Sequence, residues 1–342
     1  MNLNNRKVVV IGAGISGAVA ARYLADLGAK VTVYEKRSFV GGNCYDFVDD
    51  HDILIHKFGP HLFHTNNVEV VNFLSRFTEW VDYKHRVKAL LSDGRYVTLP
   101  VNKETAEIVG RDNLISTFFA PYTKKMWGMD ISEVNPDILN RVPIRDDDNQ
   151  FYFPNDSFQK LPSLGYTAMV VKMLEHQNIS IELNFTYSKA SQVDADLIFN
   201  SMPIDVYFDC RLGKLPYRSI KFHETTLDMP VVLPVATVNF THNGPCTRVT
   251  EWKLLPNCPH TSKNEFCSVL TVEEPCDYLE NNEERYYPIN DKKGGNRALY
   301  NKYVALIPHN MFFIGRCGLY KYLNMDEAVA STLDIVRNAI SQ

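Results

Sequence analysis

The sequence has few of the features that mark several common protein classes. Its 342 residues include only 3 tryptophans, and its 7 cysteines form no C-x-x-C pair. An odd number of scattered cysteines predicts neither a disulfide framework nor a zinc site. The 36 lysines and arginines are outnumbered by 40 acidic residues, which gives a net charge of −4. This balance does not favour a nucleic-acid partner.

Long apolar runs are also absent from the sequence. No stretch approaches about 18 consecutive apolar residues, so no membrane span is predicted. The chain opens with MNLNNRK and enters a strand at once, which is not the pattern of a signal peptide. A length of 342 residues with 45% hydrophobic content allows two or three domains. We therefore expect a cytoplasmic protein of more than one domain.

The most informative stretch is residues 8–42. Residues 8–11 form an apolar run typical of a buried parallel strand, and an apolar pattern with helical spacing follows it. A second strand over residues 31–34 ends at Glu35, which is placed to accept hydrogen bonds from a ribose hydroxyl. The order strand, helix, strand and acid predicts a dinucleotide-binding unit.

Three glycines at the first turn support that prediction. Gly12, Gly14 and Gly17 have G-x-G-x-x-G spacing. Gly12 permits a tight turn, Gly14 allows a pyrophosphate to approach the backbone, and Gly17 allows the helix to pack closely on the strand. The helix N-terminus offers free N–H groups to the phosphates. The alternative, a purely structural glycine-rich turn, does not account for the acid at Glu35.

The residues after Glu35 point to the cofactor. Glu35 is followed by five residues and then by Gly41 and Gly42, which resembles the E-x5-G-G extension of FAD-containing flavoproteins. Domains that bind only NAD usually lack this extension. We therefore expect bound FAD.

Histidines are concentrated just beyond this unit, where His56, His61 and His64 surround Gly59. A metal site is one interpretation, but no acidic or thiol partner occurs at ligand spacing. We favour a loop around the isoalloxazine ring, with a histidine near its reactive edge, and we predict no metal.

Two further clusters leave alternatives open. The segment FFAPYTKKMWG, which includes Tyr122 and Trp127, is either core or a stacking surface for a nucleobase. The segment RVPIR places Arg141 and Arg145 in a polar loop. Arginines in such a loop suit a phosphate clamp, and a surface salt bridge is the alternative.

The predicted fold is α/β. It has a Rossmann-like FAD-binding domain assembled from both chain ends, a small helical domain and an antiparallel sheet domain. Residues 311–314 form a final buried strand, and a helix with apolar residues on one face follows it. The predicted bounds are 1–80, 168–215 and 305–342 for the FAD domain; 103–140 for the helical domain; and 81–102, 141–167 and 216–304 for the sheet domain.

The whole chain resembles the bacterial UDP-galactopyranose mutase family. The dispersed motifs that carry the resemblance are IHKFGPHLFHT, PYTKKMWG, RVPIR, FQKLPSLGYT, TRVTEWK, YYPIN and GRCGLYKYLNMD. The resemblance implies interconversion of UDP-galactopyranose and UDP-galactofuranose by attack of reduced flavin N5 on the anomeric carbon. It also implies a UDP-sugar substrate, a reductant such as NAD(P)H and a possible homodimer.

The resemblance further implies roles for individual residues. Arg141 and Arg248 would bind the diphosphate, with Arg145 as a second candidate in the same loop. The predicted catalytic set is Arg141, Arg248 and His64, the last of which would lie beside the flavin. The other predicted substrate-binding residues are Tyr122, Trp127, Tyr152, Phe158, Tyr287 and Tyr322. The predicted cofactor-binding residues are Gly12, Gly14, Ile15, Ser16, Gly17, Glu35, Lys36, Gly42, Asn43, His61, Gly315, Arg316, Asn324 and Met325.

The chain also departs from the family pattern. The stretch between residues 99–102 and 121–123 is shorter than in the mutases it resembles. Lys160, Trp252 and Asn324 stand where the family has glycine, histidine and aspartate. Near a sugar–phosphate site such changes could alter which sugar is favoured. The alternative function is a net-redox FAD oxidoreductase with an amine-oxidase-like fold.

Overall fold

The computed structural model describes residues 3–4, 6–133, 144–188 and 194–341. Within them, 17 strands follow in chain order. They are β1 (Lys7–Ile11), β2 (Lys30–Tyr34), β3 (Asp46–Val48), β4 (Leu54–His56), β5 (Phe63–Thr65), β6 (Trp80–Asp82), β7 (Val87–Leu90), β8 (Tyr96–Leu99), β9 (Phe158–Pro162), β10 (Ile179–Glu182), β11 (Leu197–Asn200), β12 (Tyr217–Leu227), β13 (Thr237–Phe240), β14 (Arg248–Glu251), β15 (Ser268–Asp277), β16 (Tyr287–Pro288) and β17 (Met311–Phe313).

The α-helices of the described residues connect these strands. They are α1 (Ile15–Asp26), α2 (Val68–Leu74), α3 (Lys103–Val109), α4 (Ala120–Trp127), α5 (Gly165–Leu174), α6 (Ile204–Tyr207), α7 (Gly295–Val304), α8 (Gly315–Gly318) and α9 (Met325–Ser341). Short 3₁₀ turns lie at Gly42–Cys44, Arg111–Asn113, Trp252–Leu254 and Tyr278–Glu280, and a π-helical segment at Ile115–Phe119 precedes α4. No helix of the described part is long and apolar enough to cross a membrane.

A parallel five-stranded sheet has the order β10-β2-β1-β11-β17. Its central strand β1 is buried at four of five positions, as the apolar run predicts. Helices α1 and α9 pack together beside it and contribute Leu24, Val329, Leu333 and Val336 to one core. The sheet therefore draws strands from both chain ends, and the predicted Rossmann-like fold is confirmed. The numerical domain bounds stay predictions.

A second sheet has the order β16-β12-β15-β14-β13-β7-β8. The β7–β8 hairpin forms around Gly94, which has a φ of +86°. One pair in this sheet, β7 with β13, is parallel, whereas we predicted an antiparallel sheet. The long chain segment between these two strands allows this direction, because parallel neighbours need a long connection.

The helical region is broken more often than the sequence pattern predicts. Asn102 caps α3 by accepting from Thr105 N, and α3 ends at Gly110, whose φ is +85°. Helix α4 ends at Gly128 in the left-handed conformation, a common helix stop. The histidine segment, which we expected to be an irregular loop, instead contains the short strands β4 and β5.

Candidate active site

The first part of the site is a glycine cradle, formed by Gly12, Gly14, Gly17, Gly41 and Gly42. A Cβ at Gly17 would overlap Gly12 O, and a Cβ at Gly42 would lie 2.8 Å from Gly14 Cα. Gly14 and Gly41 form an isolated parallel bridge, so two backbone segments meet there. This close approach leaves main-chain surface where an incoming pyrophosphate needs it.

The N-terminus of α1 is open to such a ligand. Gly14 is its N-cap, no side chain caps it, and its first turn has no acidic residue. Glu35 is 5% exposed and accepts from Ala13 N at 2.7 Å and Arg37 N at 2.9 Å. Each carboxylate oxygen can accept a second hydrogen bond, so Glu35 can also bind a ribose hydroxyl. These residues fit the dinucleotide of a flavin.

Arg37 lies at the edge of the cradle, and sequence reasoning missed it. Its guanidinium donates to Asn43 Oδ1 at 3.2 Å and to Glu284 Oε2 at 2.9 Å, and it lies 4.5 Å from the centre of the Phe58 ring. The neighbouring Lys36 side chain is 60% exposed and pairs with Glu284 at 3.5 Å. Arg37 thus orients the predicted Asn43, whereas Lys36 points to the surface.

The second part of the site is a cavity of about 370 Å³ between the seven-stranded sheet, α4 and the histidine segment. Eleven predicted site residues line it: His61, His64, Tyr122, Trp127, Tyr152, Arg248, Tyr287, Arg316, Tyr322, Asn324 and Met325. Gly315 directly precedes the cavity residue Arg316 and packs against the start of α1, because a Cβ at Gly315 would lie 3.0 Å from Ser16 Oγ. Met325 Sδ lies 3.7 Å from Cys44 Sγ in the same region.

A polar row on the sheet forms one wall of the cavity. Strand register places Asn239 opposite Arg248 and Arg248 opposite Glu273. Arg248 Nε lies 2.8 Å from Glu273 Oε2, and the glutamate side chain is only 1% exposed. Burial lowers the pKa of Arg248, but the adjacent carboxylate outweighs it and holds that pKa well above the ordinary value. Arg248 is therefore a permanent positive charge in the wall.

Arg316 brings a second, half-buried positive charge to the cavity. It donates to Leu323 O from two nitrogens, and its guanidinium lies 5.0 Å from the ring centres of both Tyr287 and Tyr322. Those two rings stack at 5.2 Å with an interplanar angle of 8°. The cation and the stacked rings hold one another in place.

The histidines of the cavity are held by specific partners. His64 Nδ1 lies 2.5 Å from Asp156 Oδ2, and its ring stacks on Phe153 at 3.5 Å. His61 Nδ1 lies 2.8 Å from Gly59 O. Burial lowers the pKa of His61 to about 3 and that of His56 to about 3, so both rings are neutral near pH 7.

Helix α4 carries Tyr122 and Trp127 into the cavity. Arg218 donates to Met126 O at 2.8 Å and to Lys125 O at 3.1 Å, which anchors the end of the helix to the sheet. Burial raises the pKa of Tyr122 to about 12, so its hydroxyl stays protonated. The two rings pack on the core and also line the cavity, and the stacking surface for a nucleobase stays a prediction.

Several predicted residues lie elsewhere. Arg141 is outside the described residues. Phe158 does not line the cavity and packs against Phe63 and Trp80. Arg145 does not line it either, and donates to backbone carbonyls. Glu273, Asn239 and His85 line it and were missed.

The three residues at which the chain departs from the family pattern lie in different parts of the structure. Trp252 is 0% exposed and donates to Thr271 Oγ1 at 2.7 Å in the core, so it does not line the cavity. Lys160 pairs with Asp82 at 2.8 Å in the small three-stranded sheet. Only Asn324 of the three lies in the cavity wall. In the described part of the chain, no three His, Cys, Asp or Glu side chains cluster so as to hold a metal ion.

Comparisons with known proteins agree with this geometry. The model of the family described as UDP-galactopyranose mutase matches residues 117–322, and that of the NAD(P)-binding Rossmann-like domain matches residues 10–77. A probable UDP-galactopyranose mutase of Klebsiella pneumoniae is 33% identical, over 97% of this chain and 94% of its own. The chain belongs to the UDP-galactopyranose mutase family. The resemblance drawn from the motifs is confirmed, and with it an isomerase-type enzyme.

Other relatives and structures add detail. A dTDP-fucopyranose mutase of Escherichia coli is 31% identical, over 96% of this chain and 97% of its own. A crystal structure of reduced UDP-galactopyranose mutase superimposes with a TM-score of 0.76 at 16% identity, covering 98% of this chain and 96% of that one. Putrescine oxidase bound to putrescine gives a TM-score of 0.60 at 14% identity, covering 99% of both chains. At these identities the structures support the flavoprotein-type fold only.

The family relatives are longer in the aligned region. The alignment with the Klebsiella protein spans 371 positions, more than the 342 residues of this chain. The relative therefore has residues that this chain lacks. A shortened helical region, as the sequence predicts, would account for the difference.

Proposed function

We propose that the protein is a flavin-dependent mutase that interconverts the pyranose and furanose forms of a nucleotide sugar. UDP-galactose is the first candidate substrate, and FAD in its reduced form is the proposed cofactor. The observation that carries the proposal is a cavity with two half-buried arginines, Arg248 and Arg316, in its wall. Arg316 follows Gly315, which packs against Ser16 at the start of α1, beside the glycine cradle. A site for a small neutral amine would not need two such cations.

The chain's own residues suit binding and orientation. When bound in the reduced state, FAD would supply N5 as the nucleophile toward the anomeric carbon, while the protein contributes position and charge. Arg248 is placed to stabilise the negative charge that develops as a diphosphate departs. Tyr122 and Trp127 offer aromatic surface to a base, and the protonated Tyr122 hydroxyl can donate a hydrogen bond.

The neutral histidines favour the same chemistry. His61 donates from Nδ1 toward Gly59 O, which leaves Nε2 as an acceptor. Burial keeps the His61 ring uncharged near pH 7, because it lowers the pKa to about 3. Arg248 and Arg316, and not this histidine, are therefore the cations proposed to bind the diphosphate.

The relatives support a nucleotide-sugar substrate and leave a choice of sugar. Curated family members include both a UDP-galactopyranose mutase and a dTDP-fucopyranose mutase. We propose that Asn324 contributes to that choice, because it is the cavity residue at which this chain departs from the family pattern.

The test is incubation of flavin-loaded enzyme with nucleotide sugars under anaerobic conditions. Dithionite-reduced protein is mixed with UDP-galactose, dTDP-fucose and GDP-mannose in turn, and chromatography scores furanose product. We expect product from at least one sugar with the reduced enzyme, and none with the oxidised enzyme. If the reduced enzyme isomerises no sugar while an amine bleaches the oxidised flavin, the net-redox alternative replaces this proposal.

A further inference from the structure

We infer that Asp156 is a positioning residue that fixes the ring of His64, so that His64 Nε2 accepts a hydrogen bond from a ligand in the cavity. The donor is an O–H or N–H group, either of the bound sugar or of the reduced flavin. The identity of the ligand rests on the proposed function, whereas the state of the His64 ring can be measured on the protein alone.

The pair between His64 and Asp156 is short and largely buried. Nδ1 of the ring lies 2.5 Å from Asp156 Oδ2, and the two side chains are 18% and 25% exposed. An ionised carboxylate can only accept hydrogen bonds, so the proton between the two atoms belongs to Nδ1. A neutral imidazole carries a single N–H, which leaves Nε2 as an acceptor.

The second nitrogen of the ring is available to a ligand. His64 lines the cavity, and within the described part of the chain no hydrogen bond reaches its Nε2. The ring also stacks on Phe153, with the ring centres 3.5 Å apart and an interplanar angle of 12°. Since the stack fixes the plane of the ring and Asp156 fixes its rotation, the direction of Nε2 is set before a ligand binds.

Asp156 is itself held in place by its neighbours. Asp156 Oδ1 accepts from Asn66 Nδ2 at 3.0 Å, and Asn66 Oδ1 accepts from Ser157 N at 2.8 Å. Asp156 O accepts from Gln159 Nε2 at 2.8 Å. Strand pairing places Gln159 opposite His64, so these contacts join β5 to the turn that precedes β9. A surface salt bridge, which is the alternative, would not have this support.

These contacts also predict what an amide would do in place of the carboxylate. In Asp156→Asn, the donor Asn66 Nδ2 requires the amide oxygen on its side. The amide NH₂ would then face His64 and donate to Nδ1, which moves the ring proton to Nε2. The corresponding change in a catalytic triad leaves the geometry intact and gives the wrong tautomer.

The first test is the tautomer of His64 in flavin-loaded protein without substrate. Nitrogen NMR shifts of isotopically labelled histidine rings report it at alkaline pH, where imidazole is neutral, and His64→Gln assigns the signals by their loss. We expect the proton on Nδ1 in wild-type protein. The Nε2–H form should rise roughly tenfold or more over Nδ1–H in Asp156→Asn. A wild-type proton on Nε2, or an unchanged tautomer in that variant, overturns the inference.

The matched control is Asp82→Asn, which removes another carboxylate of the same three-stranded sheet. Asp82 pairs with Lys160 at 2.8 Å, and its side chain is 86% exposed. The His64 tautomer should stay as in wild type. If this variant moved the ring proton as much as Asp156→Asn does, the effect would belong to the sheet and the inference would fail.

The second test identifies the hydrogen-bond donor from the His64 Nε2 signal under anaerobic conditions. A signal that moves when dithionite reduces the flavin assigns the donor to the flavin. A signal that moves only when the active nucleotide sugar is added assigns it to a sugar hydroxyl. If the wild-type signal moves at neither step, Nε2 accepts from no ligand and the inference is wrong.

The third test separates positioning from a purely structural role. In Asp156→Asn we expect kcat for the active nucleotide sugar to fall roughly tenfold, while the Kd of its nucleoside diphosphate keeps the wild-type value. The double variant with His64→Gln should lose no more activity than His64→Gln alone. Losses that multiply would show that Asp156 does not act through His64. If wild-type protein isomerises no sugar, the proposed function fails and the tautomer still decides the role of Asp156.

Discussion

The glycine cradle and the cavity beside it are built in different ways. The cradle lies within residues 8–42 and offers mainly main-chain groups to its ligand. The cavity uses side chains from segments as far apart as His64 and Tyr322. A backbone site requires glycine at fixed spacing, so it leaves a strong local signal. A side-chain site depends on which strands become neighbours, so its signal is spread along the chain.

Strand register explains how the cavity obtains its charged row. Asn239, Arg248 and Glu273 lie on three different strands and face one another because β13, β14 and β15 pair in that register. A shift of any one of these strands by one residue would turn its own side chain to the other face and break the row. The long β12–β15 pairing, from Arg218 to Leu227, fixes the position of β15.

The largest effect should come from the cradle. Replacement of Gly17 by Val would place a side chain against Gly12 O, and the free energy of unfolding should fall by more than about 3 kcal/mol with loss of bound FAD. Urea unfolding and flavin absorbance measure this. The control is Gly94→Ala in the hairpin, where nothing lies within 4 Å and only backbone strain of about 1 kcal/mol is expected. Equal loss in both variants would contradict the close packing of the cradle.

The next effect should come from the charged row of the cavity. In Arg248→Ala, Glu273 is left buried without its partner, which should cost about 3 kcal/mol and remove turnover. Adding Glu273→Gln should restore most of the stability, because the uncompensated charge is gone, but not the turnover. Urea unfolding measures the stability of each variant, and initial rates measure its turnover. Recovery of activity in the double variant would show that Arg248 acts only by neutralising Glu273.

Acid should lower the stability of the protein through two buried histidines, of which His85 lines the cavity. Burial lowers the pKa of both His56 and His85 from 6.5 to about 3. Between these values the unfolded chain binds more protons than the folded protein. The contribution of these histidines to the free energy of unfolding is therefore fully present above pH 6.5. Below pH 6.5 it falls by about 1.4 kcal/mol per pH unit for each histidine.

The matching measurement is urea unfolding of flavin-loaded protein at several pH values between 7 and 5. A His56→Gln, His85→Gln variant should show a shallower fall than wild type over that range. His223→Gln is the control, because its ring lies on the surface beside Glu274. An identical pH slope in all three proteins would rule out this account.

The smallest effect on stability should come from Asn324→Asp. Asn324 lines the cavity next to the start of α9, where an added carboxylate suits the helix dipole, so stability should change by less than about 0.5 kcal/mol. The ratio of kcat/KM between UDP-galactose and dTDP-fucose should change. Trp252→His is the comparison, since it should lower stability by about 2 kcal/mol and leave that ratio alone. If Trp252→His changed the ratio and Asn324→Asp did not, the residue that determines specificity would lie in the core and not in the cavity wall.

Much of the fold could be predicted, and the site only in part. The βαβ unit and the β7–β8 hairpin follow from local sequence patterns. The parallel pairing of β7 with β13 joins segments that are far apart in the sequence, so no local pattern predicts it. Glu273 was missed because it lies in an ordinary E-E-P segment. The alternation of side chains along β15 could have indicated which of Glu273 and Glu274 faces inward.

The arginines also show what sequence patterns could not predict. Arg248 and Arg145 look equivalent as sequence, since each is a cation next to polar residues. Their surroundings differ, because Arg248 lies on a strand that faces the cavity, whereas Arg145 lies in a turn and donates to backbone carbonyls. The sequence shows that each residue is positively charged, but the folded structure determines which groups each guanidinium contacts.

The measurement that tests the central claim most directly is the number of products formed per flavin. Protein reduced once with dithionite and freed of excess reductant is given the active nucleotide sugar under anaerobic conditions, and furanose product and flavin absorbance are followed together. We predict many products per flavin while the flavin stays reduced, because the interconversion consumes no electrons. One product or fewer per flavin, with the flavin oxidised in step, would contradict a mutase and indicate net redox chemistry.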